Sequence, residues 1–589
     1  MNAGTTSSEA GRGTGLRAAL DACRTSFMSA AFFSLFVNLL MLVPAIYMLQ
    51  VYDRVLSSGS ESTLLMLTLI VVFLFIVLGS LEWLRGQILV VSSMRLDTLL
   101  GPRVHDAIFT RVLASGGRQA DTQPLTDLDR LRQFLTGQGL FAVLDAPWLP
   151  IYVAVMFMVH PWFGVAAILA ALVLMALAVW NEIATRDLLQ DANRHEAKAN
   201  LKTAAHLRNI EVIESMGMLP RLRDRWSEVH DAALHAQHQA SRRAALIAAL
   251  SKTFRLTVQT LMLGLGAYLA LRREISAGAV IAGSILLGRA LAPIDALIGN
   301  WRGVVGTRAA YRRLSELLAA TPDRAVPMPL PEPRGEYRLD KLVVQPAGAR
   351  APLIDRLSLV IDAGTQVAIV GASGAGKSTL LRALLGLHRP TSGELRLDGA
   401  ELEQYARESM GRNIGYLPQD VELLEGTVAE NIARFGDVDP DAVVAAAELA
   451  GVHAMILGLA EGYETRLDNG FVLSAGQRQR VALARAVYKT PKIVILDEPN
   501  SNLDDAGNAA LQRALLELRR LRSTVVIVTH RTHVLSQVDR ILLLVEGKLA
   551  LYGARDQVAA KLHQAAAQAA RPAPRAAEPL VSVAGAANA

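Results

Sequence analysis

The residues best able to do chemistry lie in one run, Gly371–Thr379, which reads GASGAGKST. An apolar run, Val367–Val370, precedes it and predicts a strand, and Leu380–Gly386 follows it and predicts a helix. In that setting the pattern G-x-x-x-x-G-K-[ST] is typical of a loop that cradles the phosphates of a nucleoside triphosphate, because its glycines let successive backbone N–H groups converge. We predict that Lys377 reaches the β- and γ-phosphates and that the Ser378 hydroxyl ligates Mg²⁺. The whole run is predicted to bind the phosphates: Gly371, Ala372, Ser373, Gly374, Ala375, Gly376, Lys377, Ser378 and Thr379.

Two carboxylates follow a second apolar run, Ile493–Leu496. Asp497 suits the coordination shell of Mg²⁺, and Glu498 suits a base that polarises the attacking water. Phosphoryl transfer needs chiefly this placement of charge and an aligned nucleophile. A strand that ends in two solvated acids would be the plain alternative, but it competes poorly with a phosphate loop upstream. The sequence therefore predicts an ATPase.

The first half of the chain has the composition of a membrane protein. The 589 residues are 52% hydrophobic, and the apolar residues concentrate before the phosphate loop. Six runs are long enough to cross a bilayer core of about 30 Å, which takes about 20 helical residues. We predict these spans near residues 27–51, 64–84, 141–158, 161–180, 254–271 and 278–294. The net charge of +6 is small for this length, and no stretch interleaves aromatic residues with Lys and Arg, so a nucleic-acid surface is not predicted.

The connections between spans predict which side of the membrane they face. Two long stretches, residues 85–140 and 182–253, hold eighteen Lys and Arg, whereas the short loops hold three. This bias places the long stretches in the cytoplasm. Six spans from a cytoplasmic N-terminus also return the chain to the cytoplasm, where it meets ATP. Both stretches have helical periodicity and few Gly or Pro, so they predict extended membrane helices that turn near Asp106–Thr110 and Glu211–Gly217. Soluble helical hairpins are the alternative.

Composition also predicts the remaining boundaries. Residues 1–25 form a predicted cytoplasmic segment, and 26–320 form the membrane domain. Residues 321–335 are a Pro-rich spacer, 336–564 form the nucleotide-binding domain, and the Ala- and Pro-rich tail 565–589 is expected to be disordered. Cys23 is the only cysteine, which excludes an intramolecular disulfide and a multi-cysteine metal site.

The segment Leu473–Arg480, LSAGQRQR, closely resembles the L-S-G-G-Q signature of ATP-binding-cassette proteins. Gln419 resembles the glutamine of that family's Q-loop, Ser501–Asp504 its D-loop and His530 its switch histidine. The resemblance covers the second half of the chain with every motif in order. It implies that two cassettes enclose two ATP molecules. Ser474, Gly476 and Gln477 would then contact the γ-phosphate held by the partner chain, His530 would contact the one held by its own chain, and Gln419 would join Ser378 and Asp497 around Mg²⁺. The implied catalytic residues are Glu498, His530 and Gln419.

The chain departs from the family pattern at two positions. Ala475 stands where the signature usually has Gly, which matters only if that backbone needs a positive φ. Pro346 stands where the family often has an aromatic residue that stacks on adenine. Tyr337 lies nearby, but its position also fits an ordinary residue early in a strand.

Six spans ahead of one cassette resemble an exporter half-transporter, which implies a homodimer. The segments Leu35–Arg54, Leu144–Tyr152, Leu286–Pro293 and Asp497–Asp504 resemble type I protein-secretion transporters of the protease and lipase branch. About 26 residues precede the first span, so no N-terminal peptidase domain is expected. The resemblance implies ATP-driven export of a polypeptide, unfolded and with a C-terminal signal, through the bacterial inner membrane to a periplasmic membrane-fusion adaptor and an outer-membrane channel.

The expected fold is therefore a six-span α-helical membrane domain fused to an α/β phosphate-loop domain, in contact with membrane lipid, with ATP and Mg²⁺ as ligands. A lipid or small-molecule exporter is the main alternative, and an ATP-gated regulator without transport is a second. Charged residues at span ends, such as Asp53 and Glu274, fit interfacial anchors. Arg289 lies within the sixth span, where its position suits either a cargo path or the cytoplasmic end of the span.

Overall fold

The computed structural model describes residues 15–116, 122–321, 330–346, 348–468 and 473–561. The described residues of 1–111 and 120–323 form a helical unit, here called the membrane unit, and those of 112–119 and 324–589 form an α/β unit, here called the nucleotide unit. Much of the predicted spacer, all of the predicted tail and the first fourteen residues lie outside the described residues. The predicted domain bounds stay predictions.

The membrane unit contains three helices whose lengths far exceed one membrane crossing. They have 54, 48 and 53 residues, which at 1.5 Å per residue is about 70–80 Å. Because a bilayer core takes only about 20 residues of each, these helices extend well beyond it. The helices are α1 (Leu16–Ala22), α2 (Arg24–Leu40), α3 (Val43–Gln50), α4 (Leu56–Ser58), α5 (Glu61–Ala114), α6 (Gln123–Thr136), α7 (Gln138–Asp145), α8 (Leu149–Val159), α9 (Pro161–Arg208), α10 (Ile210–Ser215), α11 (Leu219–Leu271), α12 (Ala277–Gly299) and α13 (Trp301–Ala320).

The prediction of six spans is confirmed. Six helical segments of the described chain are long and apolar enough to cross a membrane, and each includes one predicted span. The first span is interrupted at residues 41–42, because Pro44 lies at the start of α3 and ends the regular hydrogen bonding of α2. The third is interrupted by a 3-10 turn, Ala146–Trp148, which contains Pro147.

One predicted turn is wrong. Residues Asp106–Thr110 lie inside α5, which continues to Ala114. The first residue after it with a left-handed backbone is Gly116, at φ 66°. No Gly or Pro occurs between Arg103 and Ala114, so nothing in that segment ends a helix. The second predicted turn agrees with the structure, where α10 and Gly217 (φ 61°) separate α9 from α11.

The ends of the first and sixth spans are joined by hydrogen bonds. A single π-helical turn, Val51–Val55, follows α3 and carries Asp53. The Asp53 carboxylate accepts hydrogen bonds from the Ser276 hydroxyl and from the Gly278 backbone N–H. Ser276 is the N-cap of α12 and accepts in turn from the Ala279 N–H. Asp53 therefore acts as a second cap for α12 and is more than an interfacial anchor.

The nucleotide unit contains two sheets, with strand orders β2-β1-β4-β5 and β10-β9-β3-β8-β7-β6. In the second sheet β9, β3, β8, β7 and β6 are parallel and β10 is an antiparallel edge. Strands β3, β7 and β8 are fully buried, as their unbroken apolar sequences require. The strands are β1 (Tyr337–Val344), β2 (Ile354–Ile361), β3 (Gln366–Val370), β4 (Ser392–Leu397), β5 (Ala400–Glu401), β6 (Ile414–Leu417), β7 (Ile493–Asp497), β8 (Thr524–Val528), β9 (Arg540–Val545) and β10 (Lys548–Ala554).

Helices pack on both faces of the parallel sheet and form two apolar cores. One core joins α19 and α20 to the sheet, and the other joins α14 and the antiparallel sheet to its opposite face. The helices are α14 (Lys377–Leu384), α15 (Arg407–Asn413), α16 (Val428–Ile432), α17 (Pro440–Leu449), α18 (His453–Leu457), α19 (Ala475–Val487), α20 (Asp505–Arg520) and α21 (Thr532–Leu535).

Candidate functional site

The predicted catalytic segments meet at one edge of the parallel sheet. The phosphate loop follows β3, Asp497 ends β7, His530 lies two residues after β8, and Gln419 lies two residues after β6. The strand order β3-β8-β7-β6 makes these four strands neighbours. Since the carboxyl ends of parallel strands share one edge, the fold collects these side chains from widely separated positions in the sequence.

The phosphate loop has the geometry that its glycines predict. Gly374 and Gly376 adopt φ 79° and 98°, which only glycine takes without strain. A Cβ at Gly371 would lie 2.4 Å from the Leu544 carbonyl oxygen, and one at Gly376 would lie 2.6 Å from that of Leu353. Because Gly371 and Gly376 have no Cβ, the loop can also pass close to the carbonyl oxygens of Leu544 and Leu353.

The lysine of the loop is held against its backbone. Lys377 is the first residue of α14 and its side chain is buried. Its Nζ donates to the carbonyl oxygens of Gly371 (2.8 Å) and Ala372 (2.9 Å), which fixes the ammonium inside the curve of the loop. A fixed cation there, at the N-terminus of a helix, is suited to the charge of a polyphosphate.

The buried carboxylate of Asp497 lies beside the loop. The Ser378 hydroxyl, Arg382 and Lys377 all lie near enough to favour its charged form. Burial nevertheless raises the pKa of Asp497 above its usual range, and the charge of Glu498 raises it further. The Asp497 and Glu498 carboxylates and the Ser378 hydroxyl supply the oxygen ligands that Mg²⁺ prefers, and a bound cation would offset the cost of burying the charge of Asp497. Ser378 and Asp497 would hold this ion together with the phosphates.

Glu498 follows directly and extends towards two other predicted catalytic residues. Its backbone has φ 48°, and its N–H donates to the Val528 carbonyl at 3.0 Å. Its Oε2 accepts from Gln419 Nε2 at 3.2 Å, and its Oε1 lies 3.8 Å from His530 Nε2. The Glu498 carboxylate is about one-third exposed and that of Asp497 is buried, so Glu498 is the one that can reach a water molecule.

The signature segment begins α19. Ser474 is the N-cap of this helix and forms a capping box with Gln477: the Gln477 N–H donates to Ser474 Oγ (3.2 Å), and the Ser474 N–H donates to Gln477 Oε1 (2.8 Å). Ala475 is the first helical residue and does not have a positive φ, so the usual Gly is not required there. Gly476 is different, because a Cβ would lie 2.8 Å from the Asn502 carbonyl oxygen.

Gln479 was not predicted from the sequence. Its side chain is buried, and its Nε2 lies 2.5 Å from the Pro499 carbonyl oxygen and 3.4 Å from that of Glu498. Its Oε1 accepts from the Asn502 N–H at 3.0 Å. The signature helix is thereby bonded to the chain on both sides of Ser501. The sequence does carry a signal for this role, because Gln479 is a polar residue on a helix face that otherwise carries the apolar residues Leu483 and Ala486.

The region expected to meet adenine lacks an aromatic side chain. Tyr337 is fully buried, and its hydroxyl donates to the Leu384 carbonyl at 3.1 Å. Tyr337 therefore packs β1 against α14 and is not a stacking residue. Pro346 lies just after β1, where its carbonyl accepts from the Ala349 N–H at 3.0 Å.

The predicted site residues thus fall into two groups. Phosphate-loop residues, Asp497, Glu498, Gln419 and His530 surround one edge of the sheet. Among the described residues, no hydrogen bond joins Ser474, Gly476 or Gln477 to the phosphate loop, and these residues lie instead beside the 499–504 segment. The sequence resemblance implies that Ser474, Gly476 and Gln477 serve the ATP site of a partner chain, and this assignment stays a prediction.

Comparisons with known proteins agree with both units. The profile described as "ABC transporter transmembrane region" matches residues 27–291, and the one described as "ABC transporter" matches residues 354–501. The type I secretion system ATP-binding protein PrsD of Rhizobium meliloti (strain 1021) is 41% identical over 550 residues, which is 93% of this chain and 94% of that protein. The leukotoxin translocation ATP-binding protein LktB of Mannheimia haemolytica is 29% identical over 90% of this chain and 76% of its own length.

A solved structure shows the same fold. A bacterial Atm1-family ABC exporter with ATP bound superposes with a TM-score of 0.75 over 93% of this chain and 99% of that chain, at 23% identity. This confirms the expected combination of six spans and an α/β ATPase. Together with the full-length similarity to PrsD, it identifies the chain as a member of the ABC transporter family, in the group of type I secretion system ATP-binding proteins.

Proposed function

We propose that this protein is the ATP-hydrolysing subunit of a type I secretion system and that it exports a polypeptide across the bacterial inner membrane. The observation that carries the proposal is the 41% identity to PrsD, which extends over both units and almost the whole of both chains. Two further relatives are named as translocation ATP-binding proteins for a leukotoxin and an exotoxin. A lipid or small-molecule exporter would share the fold, but the relatives favour a polypeptide.

The active protein in this proposal is a homodimer. Each chain supplies one phosphate loop and one signature surface, so two chains complete two ATP sites. Ser474, Gly476 and Gln477 of one chain would contact the γ-phosphate held by the other. The cargo is unfolded, carries its signal at the C-terminus, and passes to a periplasmic membrane-fusion adaptor and an outer-membrane channel.

We propose a part in hydrolysis for each residue of the ATP site. Lys377 neutralises charge on the β- and γ-phosphates, and the Glu498 carboxylate orients and polarises the water that attacks the γ-phosphorus in line. Gln419 and His530, which flank Glu498, position that water and the γ-phosphate. Mg²⁺, held by Ser378, Asp497 and Gln419, would supply further positive charge for the phosphate oxygens. We propose these roles from the contacts around Glu498 and Asp497.

The test compares the proteins that cells release. A host strain without this gene is complemented with the wild-type gene, with Lys377→Ala or with Lys492→Ala. Lys492 is an exposed lysine of the same unit and serves as the matched control. We expect one or a few proteins without signal peptides to be missing from the medium of the deletion and Lys377→Ala strains, and to return with the wild type and Lys492→Ala. An identical set of released proteins in all strains, with equal amounts of the chain in the membrane, would refute polypeptide export.

A further inference from the structure

Helix α12 is the most enclosed of the six candidate spans. In its most apolar window 61% of the residues are buried, compared with 28% or fewer in each of the other five. Eleven residues of α12 are left at least partly uncovered. Five of them follow a helical spacing of four, four, three and four, which places these five within an arc of about 80°. We call this face the α12 stripe: Ile281, Ile285, Arg289, Ala292 and Ala296.

Arg289 is the charged residue of this apolar stripe, and its side chain is exposed. It lies about 18 Å along the helix axis from Ala277, at 1.5 Å per residue. This distance places it well inside the span and away from the extracytoplasmic end, where a long side chain could reach the interface.

Two other arginines of the membrane unit are paired, whereas Arg289 is not. Arg85 Nη1 lies 2.8 Å from Asp145 Oδ1, and Arg255 Nε lies 3.1 Å from Asp295 Oδ2. Over the described residues, Arg289 has neither a carboxylate within salt-bridge distance nor a hydrogen-bond acceptor. Its charge does reach the hydroxyl of Tyr152, which itself donates to the Asn38 carbonyl at 2.9 Å. The Arg289 cation thus borders polar groups but lacks a counter-charge within the part of its chain that the structure describes.

The backbone carbonyl of Arg289 also lacks its usual helical hydrogen bond. Pro293 lies inside α12, four residues after Arg289. Proline has no N–H, so the Arg289 carbonyl loses the donor that would complete the helical hydrogen bond. A freed carbonyl and an unpaired guanidinium are both strongly disfavoured against lipid chains, and helices place such groups towards a bundle interior or a water-filled cavity.

We propose that the α12 stripe borders a water-filled transport path and that Arg289 binds carboxylate groups of the polypeptide that passes along it. The proposal rests on the proposed function for the identity of the cargo. Charge complementarity selects the ligand, because an unpaired guanidinium in a partly dry site prefers a carboxylate, which it can hold with two hydrogen bonds. The isoleucines and alanines of the stripe supply an apolar surface for the uncharged parts of the same chain.

The first measurement tests whether water reaches the α12 stripe and whether Arg289 sets the local charge there. It uses the reactivity of introduced cysteines and does not need the cargo. Cys23 is the sole cysteine and is buried, so an introduced cysteine is the accessible thiol. Ile285→Cys and Ala292→Cys, one turn on either side of Arg289, are reacted in membranes with a negatively and a positively charged methanethiosulfonate. Ile76→Cys is the matched control, because Ile76 is 63% exposed on α5, whose apolar window has no buried residue, and we therefore expect it to face lipid.

We expect both stripe cysteines to react with either reagent, and Ile76→Cys to react far more slowly. The anionic reagent should react about a hundredfold faster than the cationic one at the stripe, because a unit charge about 8 Å away at an effective dielectric constant near 30 favours the first about tenfold and disfavours the second about tenfold. Adding Arg289→Gln should remove that preference. Stripe cysteines as unreactive as Ile76→Cys would overturn the water-filled path, and a charge preference that survives Arg289→Gln would overturn the role of Arg289.

Export provides the second measurement. In the complemented strain, Arg289→Glu should lower release of the polypeptides that depend on Lys377 by at least about tenfold, whereas Arg289→Lys should lower it less, because Lys keeps the charge and loses only the paired hydrogen bonds. Arg54→Glu, an equal charge reversal at the end of the first span, is the control and should export normally. Normal release by Arg289→Glu, at equal amounts of protein in the membrane, would overturn carboxylate binding. If no polypeptide depends on Lys377, the proposed function fails, while the thiol measurements still decide whether the stripe faces water.

Discussion

At the scale of single residues, the site depends on where the chain leaves strands β7 and β8. The Glu498 N–H bonds to the Val528 carbonyl, and this bond fixes Glu498 relative to His530, two residues beyond β8. Gln419 approaches the other carboxylate oxygen from the end of β6. The Glu498 carboxylate is therefore oriented from two sides by the protein itself, which is the preorganisation that water activation requires.

Glu498→Gln should separate nucleotide binding from hydrolysis. The amide keeps the size of the side chain and loses the negative charge that polarises the water, so we expect the ATPase rate to fall by about 100-fold or more. ATP affinity should stay within about threefold, because the phosphate loop is untouched. Steady-state hydrolysis and binding of a fluorescent ATP analogue by the purified protein measure both.

The control for this variant is Glu546→Gln. Glu546 has the same backbone φ of 48° but lies exposed in the turn between β9 and β10. It should hydrolyse ATP at the wild-type rate. Hydrolysis by Glu498→Gln at more than about a tenth of the wild-type rate would remove Glu498 from the catalytic role.

Substitution of Gly476 should lower the ATPase rate, whereas substitution of Ala475 should leave it nearly unchanged. Gly476→Ala places a methyl group 2.8 Å from the Asn502 carbonyl oxygen, so the signature or the 499–504 segment must shift, and we expect about a tenfold lower ATPase rate. Ala475→Gly adds only backbone freedom at the first residue of α19, worth at most about 1 kcal/mol of stability, and should leave the rate within about twofold. Equal rates for the two variants would contradict the close approach at Gly476.

At the scale of elements, α19 is connected to the catalytic strand through one side chain. The Gln479 amide spans the carbonyls of Glu498 and Pro499 and the N–H of Asn502. The signature faces the partner's nucleotide in the proposed dimer, whereas Glu498 serves the nucleotide of its own chain. Gln479 is thus a positioning residue between the two ATP sites.

Gln479→Met removes these hydrogen bonds and keeps the volume. We expect kcat for ATP to fall by about tenfold while KM stays nearly unchanged, because Glu498 is misplaced but the phosphate loop is intact. Gln366→Met is the matched control: Gln366 is equally buried, and its Nε2 donates to the Leu515 carbonyl at 2.7 Å, away from the site. A fall in kcat that is the same in both variants would indicate general loss of packing and would contradict the positioning role.

The cap shared by the first and sixth spans makes a separate prediction. Ser276→Ala removes both the side-chain acceptor for the Ala279 N–H and the donor to Asp53, which should cost about 1 kcal/mol. The midpoint of thermal unfolding of the purified protein measures this loss. Ser57→Ala, which removes only bonds to carbonyls of its own helical segment, should unfold within error of the wild type. An unchanged midpoint for Ser276→Ala would show that the cap does not stabilise α12.

At the scale of the whole molecule, the features that the sequence predicts well are those with a local physical cause. Span number follows from apolar length, and the phosphate loop follows from glycines that only one backbone geometry explains. The turn predicted at Asp106–Thr110 failed because continuation of α5 depends on the absence of helix breakers and on packing along its length. Gln479 was missed because its three partners lie about 20 residues further along the chain, so its role exists only in the folded unit.

In the proposed function, ATP hydrolysis by this protein drives the export of a polypeptide. The most direct measurement is the ATPase rate of the purified full-length protein in lipid nanodiscs, titrated with a polypeptide whose release depends on Lys377. We predict that a C-terminal segment of this polypeptide changes the rate saturably, that the same residues in scrambled order do not, and that varied lipids and small hydrophobic compounds have no comparable effect. A rate that responds to lipids or small molecules and ignores the polypeptide would contradict the account.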